Sequence, residues 1–168
     1  MKSIADFYIG ADDLVRRFNE FAERHALGAI SRADHICYKC VSNGEFEALR
    51  ALFEEESVYI YQSIISARRI AVIGLKRPVK TALGPISTLE LSDQKPDGSQ
   101  KSGFDHIEIY PTGISYEELA SRIKKGGVEM KKVVRPHHTT IDIEIGDGYL
   151  VRLEGEPLID KIKKEEMK

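Results

Sequence analysis

The chain has 168 residues, enough for one domain or two small half-domains around a shared core. Hydrophobic residues make up 42% and charged residues 31%, with a net charge of −2, so there is no global basic excess of the kind nucleic acid demands. No apolar run approaches the roughly 20 residues that span a bilayer, and Met1-Lys2-Ser3-Ile4-Ala5-Asp6 lacks the apolar core of a signal peptide, so the chain reads as cytoplasmic with no membrane partner.

Residues 3–26 carry Ile4, Phe7, Tyr8, Leu14, Phe18, Phe21 and Ala22 near helical spacing, which predicts a helix stopped at Gly28 and interrupted at Gly10. Residues 33–41 alternate like a strand. Asn43-Gly44 opens a turn or the helix predicted over 44–56, with Phe46, Leu49, Leu52 and Phe53 apolar. Strands follow at 58–65, at 69–75 after a basic turn at Arg68-Arg69, and at 86–91. The two prolines and Gly84 of 76–85 predict a loop, and the polar stretch 93–103 predicts a linker.

The order then repeats. Phe104–Tyr110 reads as a strand, and Ser115 with Glu118 makes a capping-box pattern ahead of a helix that runs to about Lys125 and stops at Gly126-Gly127. Val128–Val134, ended by Arg135-Pro136, is the next strand. His138–Ile145 alternates, with His137 assigned to the face opposite His138. Gly146-Asp147-Gly148 is a hairpin turn, Tyr149–Glu154 the last strand and Pro157–Lys168 a short amphipathic helix. The predicted fold is α+β: an N-terminal helical extension (1–28), a first βαβββ module (29–95), and a second module with a C-terminal helix (96–168). The two modules are expected to build one curved mixed sheet, an open cup.

The tripeptide Asp-His-Ile opens the first strand of each module, at Asp34-His35-Ile36 and Asp105-His106-Ile107. Residues i and i+2 of a strand share a face, so His106 lies with Glu108, and His35 with Cys37, opposite the isoleucines that helices should cover. Each closing strand carries an acid in apolar company, Glu90 and Glu154. Two imidazoles and two carboxylates converging in a cup suit a divalent metal such as Zn²⁺, Ni²⁺, Fe²⁺ or Mn²⁺. Glu156, close behind Glu154, is an alternative fourth ligand. Glu108 is a candidate general base or a carboxylate that orients an imidazole. Arg152 and His138 are candidate substrate contacts, with Thr140, Asp142 and Glu144 along the same polar strand face. Cys37 and Cys40 form a Cys-x-x-Cys, but on a strand the two thiols point to opposite faces, so they read as separate thiols rather than a redox or zinc pair.

The βαβββ repeat with His on strand one and Glu on strand four resembles the vicinal oxygen chelate superfamily, which includes glyoxalase I, methylmalonyl-CoA epimerase and the extradiol dioxygenases. The strings Ala33-Asp34-His35-Ile36 and Gly103-Phe104-Asp105-His106-Ile107-Glu108-Ile109, with the Pro157–Lys168 tail, resemble the YecM family more closely. The superfamily resemblance implies His35, Glu90, His106 and Glu154 as metal ligands. It also implies a lyase or isomerase acting on a small oxygen-chelating substrate through a metal-stabilised enediolate, with Glu90, Glu154 or Glu108 as base. The alternatives it leaves open are a non-catalytic ligand-sequestering module and an Fe²⁺ dioxygenase. One chain carries both halves, so a monomer or a homodimer is compatible with a complete site.

Overall fold

The computed structural model describes residues 1–134 and 138–167; Arg135, Pro136 and His137, on which the end of one predicted strand and one histidine assignment fall, lie outside the described residues. Helix α1 (Ile4–Arg24) starts at a reciprocal cap. Ser3 Oγ accepts from the Asp6 amide at 3.2 Å while Asp6 Oδ2 accepts from the Ser3 amide at 2.9 Å. The helix passes through Gly10 without a break. A Cβ at Gly10 would stand 3.1 Å from the Phe104 ring, so the glycine marks a close packing contact and not a helix end.

The first module comprises β1 (Ser31–Lys39), α2 (Asn43–Glu54), β2 (Ser57–Ile65), β3 (Arg68–Val79) and β4 (Ile86–Ser92). The second comprises β5 (Gly103–Pro111), α3 (Tyr116–Lys125), β6 (Lys131–Val134), β7 (Thr139–Glu144) and β8 (Leu150–Leu153), and α4 (Leu158–Glu166) follows. The eight strands form one sheet in the order β2-β3-β4-β1-β5-β8-β7-β6, whose two edges do not pair with each other among the described residues. In both modules the first and last strands pair in parallel, β1 with β4 and β5 with β8, and the modules meet along the antiparallel β1–β5 seam. This is the expected α+β architecture of two βαβββ units in one open mixed sheet.

The core lies between one sheet face and α1–α3. Ile36, Leu89, Ile107 and Val151 from the strands meet Phe7 and Phe18 of α1, Phe46 and Phe53 of α2, and Leu119 and Ile123 of α3, all nearly or fully buried. Phe7 stacks edge-on to Phe53 with ring centroids 5.2 Å apart, which locks α1 against α2. Truncating a ring such as Phe18 to alanine costs about 3–5 kcal/mol in a core of this kind.

Several local expectations change. The turn between β2 and β3 is Ser66-Ala67, both at positive φ (51° and 60°), not Arg68-Arg69. Strand β3 runs on through Pro78 to Val79, because its pairing with β4 is interrupted between Gly74 and Val79 and the missing proline N–H breaks no ladder bond there. Residues 93–103 are pinned rather than loose: Gln100 is buried and its side-chain amide donates to the carbonyls of Cys40 and Asp93, both at 2.8 Å. At α3 only half of the capping box forms. Ser115 Oγ accepts from the Glu118 amide at 3.1 Å, while the Glu118 carboxylate pairs with Arg122 at 2.6 Å.

Candidate metal centre

Both Asp-His steps lie on the β1–β5 seam, and both fall on register slips. Ala33 pairs with Ile109 and Ile36 with Ile107, so β1 has an extra residue at Asp34-His35. Cys37 pairs with His106 and Tyr38 with Phe104, so β5 has an extra residue at Asp105. A regular strand sends neighbouring side chains to opposite faces, whereas a bulge lets them turn toward one another. Asp34 Oδ2 thus lies 2.7 Å from His35 Nδ1, and Asp105 Oδ2 lies 2.7 Å from His106 Nδ1. An ionised carboxylate only accepts, so each Nδ1 carries the hydrogen and each Nε2 becomes the working atom. Each aspartate makes a second contact. Asp34 also accepts from the Leu158 amide at 3.0 Å, tying the start of α4 to the site, and Asp105 takes the Lys39 ammonium at 2.6 Å.

The two imidazoles stand 5.7 Å apart, centre to centre, with their planes at 72°. Glu90 reaches in from β4, its Oε2 3.8 Å from His35 Nε2. One donor atom each from His35, Glu90 and His106 lie within 4.8 Å of one another. His35 Nε2 is buried with no hydrogen-bond partner among the described residues, and a cation that displaced its proton would supply one. Two imidazole nitrogens and a carboxylate oxygen are donors that first-row divalent ions accept, so the residues present fit such an ion. Cys37, buried on the same face, donates its thiol to Glu90 Oε1 at 3.3 Å.

The charges divide the two histidines. Burial alone would lower His35, but Glu108, Asp34 and Glu90 outweigh it and raise its pKa to about 9. Burial lowers His106, Arg152 lowers it further, and its pKa falls to about 4, so this ring is neutral. Glu90 resists burial because His35, His106 and Arg152 surround it, and it drops to about 2. Glu108 is nearly buried, with Oε1 3.9 Å from His35 Nδ1, and burial lifts it to about 7 against the pull of His35.

Glu154 does not join this group. Register sets Glu90 beside Cys37 on the first half and Arg152 beside Glu108 on the second, so Arg152 holds the position that matches Glu90. Glu154 lies two residues further, roughly 7 Å along the strand, beyond the end of β8. There its carboxylate accepts from the Gly155 amide at 2.8 Å and pairs with Lys161 of α4 at 2.7 Å. Glu156 pairs with Lys164. Arg152 is clamped by Asp142, through Nε at 2.7 Å and Nη2 at 3.0 Å, and its Nη1 lies 3.2 Å from His106 Nε2. Thr140 is buried, while His138, just ahead of β7, and Glu144, at its end, are exposed. A separate surface concavity lined by Arg17, Phe21, His25 and Glu144 holds none of the donor residues.

Sequence reasoning missed the roles of Asp34 and Asp105, and it placed Asp142 on the polar strand face without its pairing to Arg152. The signal for the first two was the repeat itself, which carried the acid along with the histidine. For Asp142 it was the hairpin: pairing counted outward from Gly146-Asp147-Gly148 sets Asp142 opposite Arg152.

Two βαβββ modules meet on one seam in a glyoxalase-like fold, and an imidazole–carboxylate cluster lies across that seam. The family model described as YecM protein matches residues 11–148, and the chain belongs to the YecM family. Protein YecM of Escherichia coli (strain K12) is 31% identical over 99 residues, 53% of this chain and 53% of that protein, so the match spans about half the length of this curated relative. A solved structure described as Structural Genomics, Protein EC4020, is similar in fold, with a TM-score of 0.73 over 93% of this chain and 91% of that chain at 22% identity. Methylmalonyl-CoA epimerase of Streptomyces coelicolor, solved as a variant with 2-nitronate-propionyl-CoA, covers 74% of this chain and 96% of that chain at 19% identity and a TM-score of 0.47. No helix among the described residues is long and apolar enough to cross a membrane.

Proposed function

We propose that this chain binds a divalent metal through His35, Glu90 and His106 and acts as a metal-dependent enzyme of the lyase or isomerase type on a small, oxygen-rich substrate. The observation that carries the reading is the buried, unpartnered Nε2 of His35 facing Glu90 and a second imidazole. The ion would supply Lewis acidity to a substrate oxygen, which acidifies the neighbouring C–H. Asp34 and Asp105 hold the rings in the tautomer that presents Nε2. Glu108 moves the proton: it is shielded from water and its pKa of about 7 lets it take up and return a proton near neutrality. Glu154, held by Lys161, stays outside the ligand set and outside the proton transfer. Both halves of the site come from a single chain, so a second copy is not required to complete it.

The test is elemental analysis of protein purified and then exposed to Zn²⁺, Ni²⁺, Fe²⁺ or Mn²⁺. Close to one ion per chain is expected, with loss in His35→Ala and in His106→Ala. Absence of any bound ion, or unchanged affinity in both variants, would overturn the reading.

A second reading, a metal-free ligand-binding cup, is favoured by Arg152, which already satisfies His106 Nε2. Ligand-induced thermal shifts that survive chelator treatment would support it.

A further inference from the structure

The two halves of the sheet carry different charges at matching positions. On the β1–β4 side, neighbouring residues facing the site are Cys37 and Glu90; on the β5–β8 side they are Glu108 and Arg152. The twofold order of strands would put a second carboxylate where a guanidinium stands. Arg152 is no surface arginine, with its side chain 14% exposed. Asp142 takes Nε and Nη2 in a fork, which fixes the plane of the guanidinium and leaves the Nη1 edge turned to His106 Nε2 at 3.2 Å.

This fixed cation borders three donor atoms that are themselves suited to a cation. Two positive charges a few ångströms apart in a poorly solvated site repel strongly unless an anion lies between them. Asp142 is committed to the fork, and Glu90 and Glu108 offset part of the Arg152 charge from farther away. An anionic group of the ligand on the Nη1 edge would offset the remainder. A planar, pre-organised guanidinium edge recognises carboxylate and phosphonate or phosphate oxygens.

We propose that Arg152 is the anion anchor of this site, and that the substrate is a small carboxylate or phosphonate whose charged group sits on Nη1 while an adjacent oxygen reaches the His35–Glu90–His106 donors. This deepens the proposed function and rests on it only for the cation at the donor set, because the anion subsite is built by Arg152 and Asp142 alone. Binding displaces the Nη1 contact from His106 Nε2, so the same arginine opposes the metal until the anion arrives.

The experiment is titration calorimetry with oxalate and with inorganic phosphate, on Mn²⁺-loaded and chelator-treated protein, for wild type, Arg152→Gln and the double variant D142N/R152Q. The double variant removes the buried carboxylate that R152Q would leave uncompensated and keeps the test valid if the single variant folds poorly. Oxalate affinity is expected to fall at least tenfold in both variants, while Mn²⁺ affinity stays the same or tightens. A merely structural arginine would weaken both. Wild-type oxalate and phosphate affinity in the double variant, or no anion binding by wild type in either state, overturns the anchor. Phosphate binding that depends on Arg152 in a protein that takes up no metal would sink the metal reading and leave the anchor standing.

Discussion

The carboxylate of Asp34 holds the Nδ1 of its own neighbour, His35, at 2.7 Å, a contact that exists only because β1 is bulged at that step. The same oxygen caps the first amide of α4 at 3.0 Å. Asp34→Ala therefore removes two functions at once. Metal affinity should drop about 10–100-fold as the ring loses its anchor, and stability should fall by about 1 kcal/mol as the helix loses its cap. Asp105→Ala should show the affinity loss without the helix effect. Competition titrations and thermal melts of the two variants check both points, and equal effects of the two on the melting of α4 would contradict the assignment.

Glu90 and Glu154 look alike in sequence but sit in different surroundings. Glu90→Gln should cost most of the metal affinity. Glu154→Gln should leave it within about threefold and cost about 1–2 kcal/mol through the largely buried Lys161 pair. Metal-to-protein ratios after dialysis against limiting metal separate the two cases.

His35 makes the metal-free protein sensitive to alkali. Its folded pKa, about 9, lies above the ordinary 6.5 despite burial, because Glu108, Asp34 and Glu90 face it. The folded state thus holds this proton more tightly than the unfolded state. The stabilisation is fully present below about pH 6.5 and is lost as pH rises through 9, with a limit of about 3 kcal/mol. Glu108, raised by burial to about 7, acts in the same direction between its ordinary 4.5 and 7. Denaturant unfolding in chelator at pH 6, 7.5 and 9 should show a steady fall, flattened in His35→Gln; a flat or rising wild-type profile would refute it.

Glu108→Gln should lower the His35 pKa from about 9 toward its ordinary value, since Glu108 is the leading charge that raises it. The ring proton shifts of His35 followed against pH by NMR report this directly. Metal affinity should change little, because the Glu108 oxygen lies 3.9 Å from Nδ1, on the side of the ring away from the donor nitrogen.

The Ser66-Ala67 turn places two side chains in the left-handed region, where an L-residue pays roughly 1 kcal/mol. Ala67→Gly should therefore stabilise the protein by about 0.5–1 kcal/mol, despite the greater freedom of glycine in the unfolded chain. A lower melting temperature for this variant would show that the turn is held by contacts the backbone angles do not reveal.

The strand and helix periods, the repeated Asp-His-Ile and the glycine-marked hairpin determined the fold class by themselves, because hydrophobic spacing dictates which face of each element is buried. The same spacing put His35, Glu90 and His106 on one side of the sheet. Tertiary structure alone decided the rest, because a site is set by inter-strand register and not by distance along the chain. Pairing β8 against β5 brought Arg152, not Glu154, beside Glu108, and the loop lengths that fix this offset leave no periodic trace. The bulges that turn Asp34 and Asp105 toward their histidines, and the return of α4 onto Asp34, likewise arise only when β1 and β5 lie side by side.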